Sequence, residues 1–335
     1  MSIFNVLDII GGLSLFLFGM NLMGNTLRES TGDKLRGFLE NIFSNPFKGF
    51  LLGAGVTAVM QSSSATTVMV VSFVNAGTMT LAHAVSVIMG ANVGTTVTSW
   101  LTGLSGIGEG GEAAVSFLQW FKPSSFVPVL ALIGVLLYMF RKGERKKSVG
   151  VILLGFSVLM IGMDMMSDAV KPLSENDSFK SVLLWFENPL FGVLAGAVMT
   201  AIIQSSSAAV GILQSLTLTG AITVKNAVPI LLGQNIGTCV TVIIASIGAS
   251  VNAKRAAFIH FYFNTIGVAI VLPLFQVLNT LFDIPILQGG ITTWGIATVH
   301  TVFNLISVII LAPFSKYLER LACLTIREGK RNERS

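Results

Sequence analysis

The sequence predicts an all-α polytopic membrane protein made of two inverted-topology repeats, each with a re-entrant helical hairpin carrying the tetrapeptide QSSS. Three observations lead there. Of the 335 residues, 53% are hydrophobic and only 11% charged, whereas a soluble domain is about one quarter charged. A long stretch of the chain recurs without a gap later in the sequence. The charges that flank the two copies also differ in sign.

Composition sets the solvent. Runs at 9–27, 126–140, 149–170, 256–275 and 293–313 approach the roughly 20 apolar residues that cross a bilayer. The N-terminus lacks the basic n-region of a cleaved leader, and its first apolar run is too long for one, so it reads as a retained helix. Cys239 and Cys323 are far apart and form no metal or redox spacing. The net charge of +5 is concentrated: the segment RKGERKK at 141–147 and the tail from Lys316 to Arg334 hold eleven of the 21 basic residues. Short basic segments beside apolar spans mark the cytoplasmic side rather than a nucleic-acid surface.

Gln61 and Gln204, Gly90 and Gly233, and Gly19 and Gly162 are separated by 204 − 61 = 233 − 90 = 162 − 19 = 143 positions. NPFKGFLLGAGVTAVMQSSSATT aligns with NPLFGVLAGAVMTAIIQSSSAAV, and GANVGTTVT with GQNIGTCVT. After the first helix, Arg28, Lys34, Arg36 and Lys48 outweigh Glu29, Asp33 and Glu40. After its counterpart, Asp168, Glu175, Asp177 and Glu187 outweigh Lys171 and Lys180. The basic segment belongs inside and the acidic one outside, so the copies are inverted, as in many secondary transporters. Residues 1–140 form the first inverted repeat, and 141–148 a basic cytoplasmic loop. Residues 149–315 form the second repeat with two further transmembrane helices, and 316–335 a basic cytoplasmic tail.

Each QSSS follows an Asn-Pro that suits a helix start, with Asn45 and Asn188 as caps and Pro46 and Pro189 in the first turn. The helix between is only about 15 residues, short of a full span, which predicts a re-entrant hairpin. Gly49, Gly53, Gly55, Gly192 and Gly196 permit close helix packing. At the hairpin tips, free N–H groups and serine hydroxyls attract an anion, while hydroxyl, amide and carbonyl oxygens suit a small hard cation. No Lys or Arg lies within 49–80 or 192–220, so bound cations would have to neutralise the anion. That requirement points to cation-coupled anion transport. The GxNxGT segments add Asn92, Thr95, Thr96, Asn235 and Thr238, with glycines that let backbone approach a ligand. HFYFN and HTVFN place His260 with Asn264 and His300 with Asn304 on one helix face each, as hydrogen-bonding braces or as ion ligands. No GxSxG, HExxH or SxxK frame supports an intramembrane enzyme.

At these residues the sequence resembles the type II sodium/phosphate cotransporter family. Its pattern of two QSSS repeats, each followed by GxNxGT, stands here at 61–64 with 90–95 and at 204–207 with 233–238. The two HxxFN elements are similar as well. The resemblance covers nearly the whole chain and implies inorganic phosphate as substrate, sodium as coupling ion, inward transport across the cytoplasmic (inner) membrane and no further cofactor.

On that reading Ser62, Ser63, Ser64, Ser205, Ser206 and Ser207 contact phosphate. Gln61, Asn92, Thr95, Gln204, Asn235 and Thr238 hold sodium or brace the hairpins. Thr66, Thr96, His260, Asn264, His300 and Asn304 support them from behind. The first half lacks an HxxFN and runs through a Gly-rich insert instead, and the tail after Pro313 is shorter than the phosphate-regulator-like domain many bacterial relatives append. Two alternatives stand beside this reading: a sodium-coupled carrier of another oxyanion or small carboxylate, and a phosphate-sensing membrane scaffold that does not transport.

Overall fold

The computed structural model of the chain describes residues 3–30, 45–60, 62–104, 123–174, 188–217, 222–282 and 289–328. Among the described residues twelve α-helices follow one another. They are α1 (Ile3–Ser30), α2 (Pro46–Met60), α3 (Ser63–Asn75), α4 (Leu81–Leu104), α5 (Pro123–Phe140) and α6 (Glu144–Ser174). The second half continues with α7 (Pro189–Ile203), α8 (Ser206–Thr217), α9 (Val224–Ala245), α10 (Val251–Phe282), α11 (Thr293–Leu311) and α12 (Ser315–Thr325). A 3-10 turn at Ala312–Phe314 separates the last two.

The helix starts repeat with the sequence offset: Pro46 and Pro189, Ser63 and Ser206, Leu81 and Val224 are each 143 apart (189 − 46, 206 − 63, 224 − 81). The expected caps are in place. Asn45 Oδ1 accepts from Phe47 N at 2.8 Å and Asn188 Oδ1 from Leu190 N at 3.0 Å. Each satisfies an N–H that the first turn cannot pair internally. The basic segment is shorter as a loop than the sequence suggests. Only 141–143 is non-helical, because Gly143 takes φ +116 and Glu144 opens α6 with a carboxylate at its positive end. The basic tail also begins as helix, in α12.

α1 packs along α6, α2 along α4, α7 along α9, and α5 along α6. The two middle pairs are the tightest. A Cβ at Gly90 would lie 1.9 Å from the Phe50 carbonyl oxygen, and one at Gly233 1.9 Å from that of Val193. Gly53 and Gly196 approach α4 and α9 in the same manner, at Val87 O and Ile230 O. Small residues at the crossing let the backbones touch, which is how helices associate where lipid removes the hydrophobic drive. Gly49 and Gly192 join this packing, but Gly55 faces open space and has no such role.

Four stretches are long and apolar enough to cross a membrane by length and composition: Leu81–Trp100, Val224–Ala245, Val251–Asn279 and Thr293–Thr325. The first two are 72% and 78% buried within the protein, so α4 and α9 form its centre. Apolar side chains such as Phe4, Phe140, Leu190, Leu281 and Ile309 are at least 70% exposed around the outside. A surface of that kind belongs against hydrocarbon, and the chain is a membrane protein. Two buried cores flank the centre. Val68, Val71, Ile88, Ala257 and Phe263 lie in one, and Leu213, Ile230, Leu231, Ile296 and Phe303 in the other. Each core rests on one of the short helices that begins at a QSSS.

Candidate functional site

The helix is interrupted at both QSSS copies. α2 ends at Met60 and α3 starts at Ser63, while α7 ends at Ile203 and α8 starts at Ser206. In the first copy Ser62 is extended and caps α3: its Oγ accepts from Ala65 N at 3.2 Å, and its carbonyl accepts from Thr66 N and from Thr66 Oγ1 at 3.1 Å. Ser63 and Ser64 follow, buried in the first turn. In the second copy Gln204 takes the left-handed conformation at φ +55 and donates its N–H to Thr200 O at 2.7 Å, closing α7. Ser205, Ser206 and Ser207 are half-buried, and Ser205 O accepts from Ala209 N at 3.0 Å. Gln61 lies outside the described residues, as does the Gly-rich insert at 105–122.

The GxNxGT segments do not break the helix. Both run inside α4 and α9, and their glycines meet facing backbone instead of a ligand: Gly94 and Gly237 pack on Thr57 and Thr200, one turn before the breaks. The polar side chains between them largely fold back on their own helix. Asn92 Nδ2 donates to Ile88 O at 2.9 Å, Thr95 Oγ1 to Ala91 O at 3.0 Å, Thr96 Oγ1 to Val93 O at 2.7 Å and Thr238 Oγ1 to Gln234 O at 2.9 Å. Back-bonding of this kind leaves a hydroxyl's lone pairs open while its proton is satisfied.

Asn235 reaches further. Its Nδ2 donates to Leu231 O, which turns Oδ1 toward His300 Nε2 at 3.3 Å. Because that oxygen only accepts, Nε2 carries the ring proton and Nδ1 accepts from Ser99 Oγ at 2.6 Å. One imidazole on α11 thus ties α4 of the first copy to α9 of the second. Beside it Gln214 of α8 donates to Ser99 O at 2.9 Å and Thr293 O at 3.1 Å, and Trp100 Nε1 donates to Thr301 Oγ1. Asn304 Nδ2 bonds His300 O.

The other histidine behaves differently. His260 is fully buried, and neither ring nitrogen has a partner. Asn264, one turn on, donates to His260 O at 3.0 Å and to Cys239 Sγ at 3.4 Å. Asn264 Oδ1, Asn304 Oδ1 and Gln234 Oε1 are buried acceptors without a partner, the donor type that a small hard cation takes. Among the described residues no three His, Cys, Asp or Glu side chains group to hold a metal.

Crosswise packing joins the halves: α3 touches α9, and α8 touches α4. Each post-break helix therefore rests on the long helix of the other copy. Ser99 and Gln214 carry much of this seam, and Gln234 Nε2 donates to Ala209 O at 3.0 Å to tie α9 to α8 within the second copy; none of the three is a repeated residue of the motifs. Their positions in the other copy hold Val242, Val71 and Ala91, so only their polarity inside apolar helices could have flagged them.

A family model described as Na+/Pi-cotransporter matches the chain twice, over residues 15–168 and 158–299. The matches begin 158 − 15 = 143 residues apart, the same offset as the repeat. "Uncharacterized protein YqeW" of Bacillus subtilis (strain 168) is 32% identical over 259 residues, 77% of this chain and 78% of that protein. "Putative inorganic phosphate export protein YjbB" of Escherichia coli (strain K12) is 27% identical over 274 residues. That match takes in 82% of this chain but 47% of the relative, so the chain spans about half that protein's length. "Sodium-dependent phosphate transport protein 2B" of Homo sapiens is 24% identical over 404 residues, 79% of this chain and 58% of the relative. No solved structure matches the chain.

Proposed function

The chain belongs to the Na+/Pi-cotransporter family, one of transporters rather than enzymes, and from that premise we propose that it is a sodium-coupled symporter that imports inorganic phosphate by alternating access. Phosphate binds between the two QSSS breaks, on Ser62, Ser63, Ser64, Ser205, Ser206 and Ser207. Sodium binds close by, on oxygens of Gln61, Asn92, Thr95, Gln204, Asn235 and Thr238. Thr66, Thr96 and the His300–Asn304 pair brace these residues, and His260 with Asn264 stands behind them on α10. The observation that carries the reading is the paired interruption itself, two short helices that each begin at a serine triplet with no lysine or arginine in the flanking segments.

A helix N-terminus and hydroxyl donors attract a phosphate oxygen. They cannot offset a full negative charge in a low-dielectric site, and sodium ions bound on neighbouring neutral oxygens supply that compensation. Coupling is then a consequence of electrostatics: neither ion is comfortable there alone. The two repeats have opposite membrane topology, each break forms the tip of a re-entrant hairpin, and 141–147 and the C-terminal segment face the cytoplasm.

A second reading concerns direction. YjbB is named for export, and it matches 82% of this chain. A coupled carrier runs down whichever gradient is imposed, so the question is physiological and not structural.

Radiolabelled phosphate flux in liposomes tests the proposal, with an inward sodium gradient, with potassium in its place, and with the gradient reversed. Sodium-dependent accumulation supports it, and reversal should drive efflux from preloaded vesicles. Flux indifferent to sodium removes the coupling. Stronger competition by sulfate, arsenate or succinate than by phosphate reassigns the substrate, and absence of flux from folded protein leaves a binding scaffold.

A further inference from the structure

The last helix is not a continuation of the one before it. Ser307 of α11 sits against Gly267 of α10, where a Cβ would lie 2.7 Å from Ser307 Oγ. A straight helix would carry Thr325 about 27 Å past that contact. Yet Thr325 Oγ1 is hydrogen-bonded to Tyr262 OH, on α10 only about 7.5 Å from Gly267 along the axis. The chain must fold back at the 3-10 turn that holds Pro313, so α12 lies across the end of α10 at the edge of the membrane-spanning region. Its end is clamped there. Arg255 Nε donates to Ile326 O at 3.0 Å, and its Nη1 lies 3.4 Å from Glu328 Oε1.

Around α12 the side chains fall into sectors at about 100° per residue. Leu318 and Ala322 point into the protein and are buried. To one side Phe314, Tyr317, Leu321 and Leu324 are exposed, and with Ile266 and Leu311 they line a trough of about 470 Å³. Arg320 stands on its outer rim, over the Tyr317 ring at 5.6 Å from the centroid, and Lys316 lies one turn back on the same flank, in the adjoining hollow. Glu319 shares that hollow with both cations but lies farther round the helix from the trough. An apolar channel open on one side, edged by two cations and continuous with the outward faces of α10 and α11, has the polarity of a phospholipid.

We propose that this trough is a binding site for one anionic glycerophospholipid, with its phosphate head group on Lys316 and Arg320 and an acyl chain lying along Phe314, Tyr317 and Leu324. The occupant follows from charge complementarity and from continuity with the lipid-facing surface. A zwitterionic head group would bring its own cation against Lys316 and Arg320, whereas an anionic one does not. By holding a lipid, the site seats α12 against α10, the helix that carries His260 and Asn264. It does not depend on which solute the carrier moves.

Native mass spectrometry of the purified full-length chain in detergent, with dioleoylphosphatidylglycerol or dioleoylphosphatidylcholine added at equal concentration, tests this. We expect one retained phosphatidylglycerol adduct, held about tenfold more strongly than phosphatidylcholine. Lys316→Gln with Arg320→Gln should erase that preference, and Glu319→Gln should keep it. Neither change touches the Tyr262 and Arg255 contacts that hold α12, so the melting temperature in lipid-free detergent should stay unchanged. Equal retention of the two lipids, or a preference that survives the double substitution, overturns the proposal. So does a dimer that carries no lipid and dissociates on Phe314→Ser with Leu324→Ser, which would put a second copy of the chain in the trough.

Discussion

At Gly90 and Gly233 the two copies of the repeat are alike to a tenth of an ångström, each leaving a Cβ 1.9 Å from a facing carbonyl oxygen, but at the breaks those stems support the copies diverge. The first break is packed: Ser63, Ser64, Thr66 and Thr67 are buried, and α3 is covered by α1 and α10 as well as by α2, α4 and α9. The second is more open. Ser205, Ser206 and Ser207 are half-buried, and α8 lies against α4, α7, α9 and α11. Duplication has therefore kept the backbone crossings and let the polar tips differ, which makes the second tip the more accessible wall of the proposed site.

The largest effect should come from breaking what the copies share. Gly90→Ala and Gly233→Ala each push a methyl into backbone that cannot rotate away, at a cost of about 3 kcal/mol. Both should lose most of the folded, monodisperse protein on size-exclusion chromatography, and to a similar degree. Gly55→Ala, whose Cβ meets nothing within 4 Å, should behave as wild type. If one copy tolerates the substitution and the other does not, the stems are not equivalent.

Next in size is the tip itself. Ser206→Ala removes a half-buried hydroxyl, and loss of one hydrogen bond to a charged ligand weakens binding about tenfold or more. Sodium-dependent phosphate uptake at low phosphate should fall to background with expression and melting temperature unchanged. Ser63→Ala, in the packed tip, should lower uptake and melting temperature together, because it leaves a void among the buried residues around it. Normal uptake by Ser206→Ala would remove that serine from the site.

How far the sequence reveals this arrangement depends on what is duplicated. The caps at Asn45 and Asn188, the helix starts at Pro46 and Pro189 and the interruption at each QSSS are legible because local chemistry repeats in register. The GxNxGT glycines read in the sequence as places where backbone approaches a ligand, and in the fold they pack against the facing helix. Their spacing from Gly90 to Gly94, facing Gly53, is equally the pattern of a close helix crossing, and only the fold distinguishes the two. The seam of Ser99 and Gln214 is invisible in the sequence for the opposite reason: residues that join two copies need not be repeated in either.

The histidines extend the comparison to the HxxFN helices. His300→Phe strands Ser99 and Asn235, two buried groups that lose a partner, and should destabilise the protein by about 2 kcal/mol, read as a lower melting temperature in detergent. His260→Phe removes nitrogens that have no partner and should leave the melting temperature level or raise it. A changed sodium dependence of uptake in His260→Phe, with stability intact, would mean that this ring meets the ion pathway and is more than packing.

The smallest effect isolates a single difference between the tips. Thr66 Oγ1 donates to Ser62 O at 3.1 Å, an additional bond that locks the first turn of α3 onto its cap. The matching position of the second copy is Ala209, which offers its N–H to Ser205 O and nothing more. Thr66→Ala should cost about 0.5–1 kcal/mol, the net value of one such bond, and loosen the first tip toward the second. Ala209→Thr is the converse, but Ala209 is itself fully buried, so the added hydroxyl and methyl must displace neighbours. If the tips differ because of this bond, amide exchange at Ala65 and Thr66 should speed up in Thr66→Ala while α4 and α9 stay protected. If exchange does not change, the cover that α1 and α10 provide holds the first tip, and the contrast between the copies is set by tertiary packing and not by the cap.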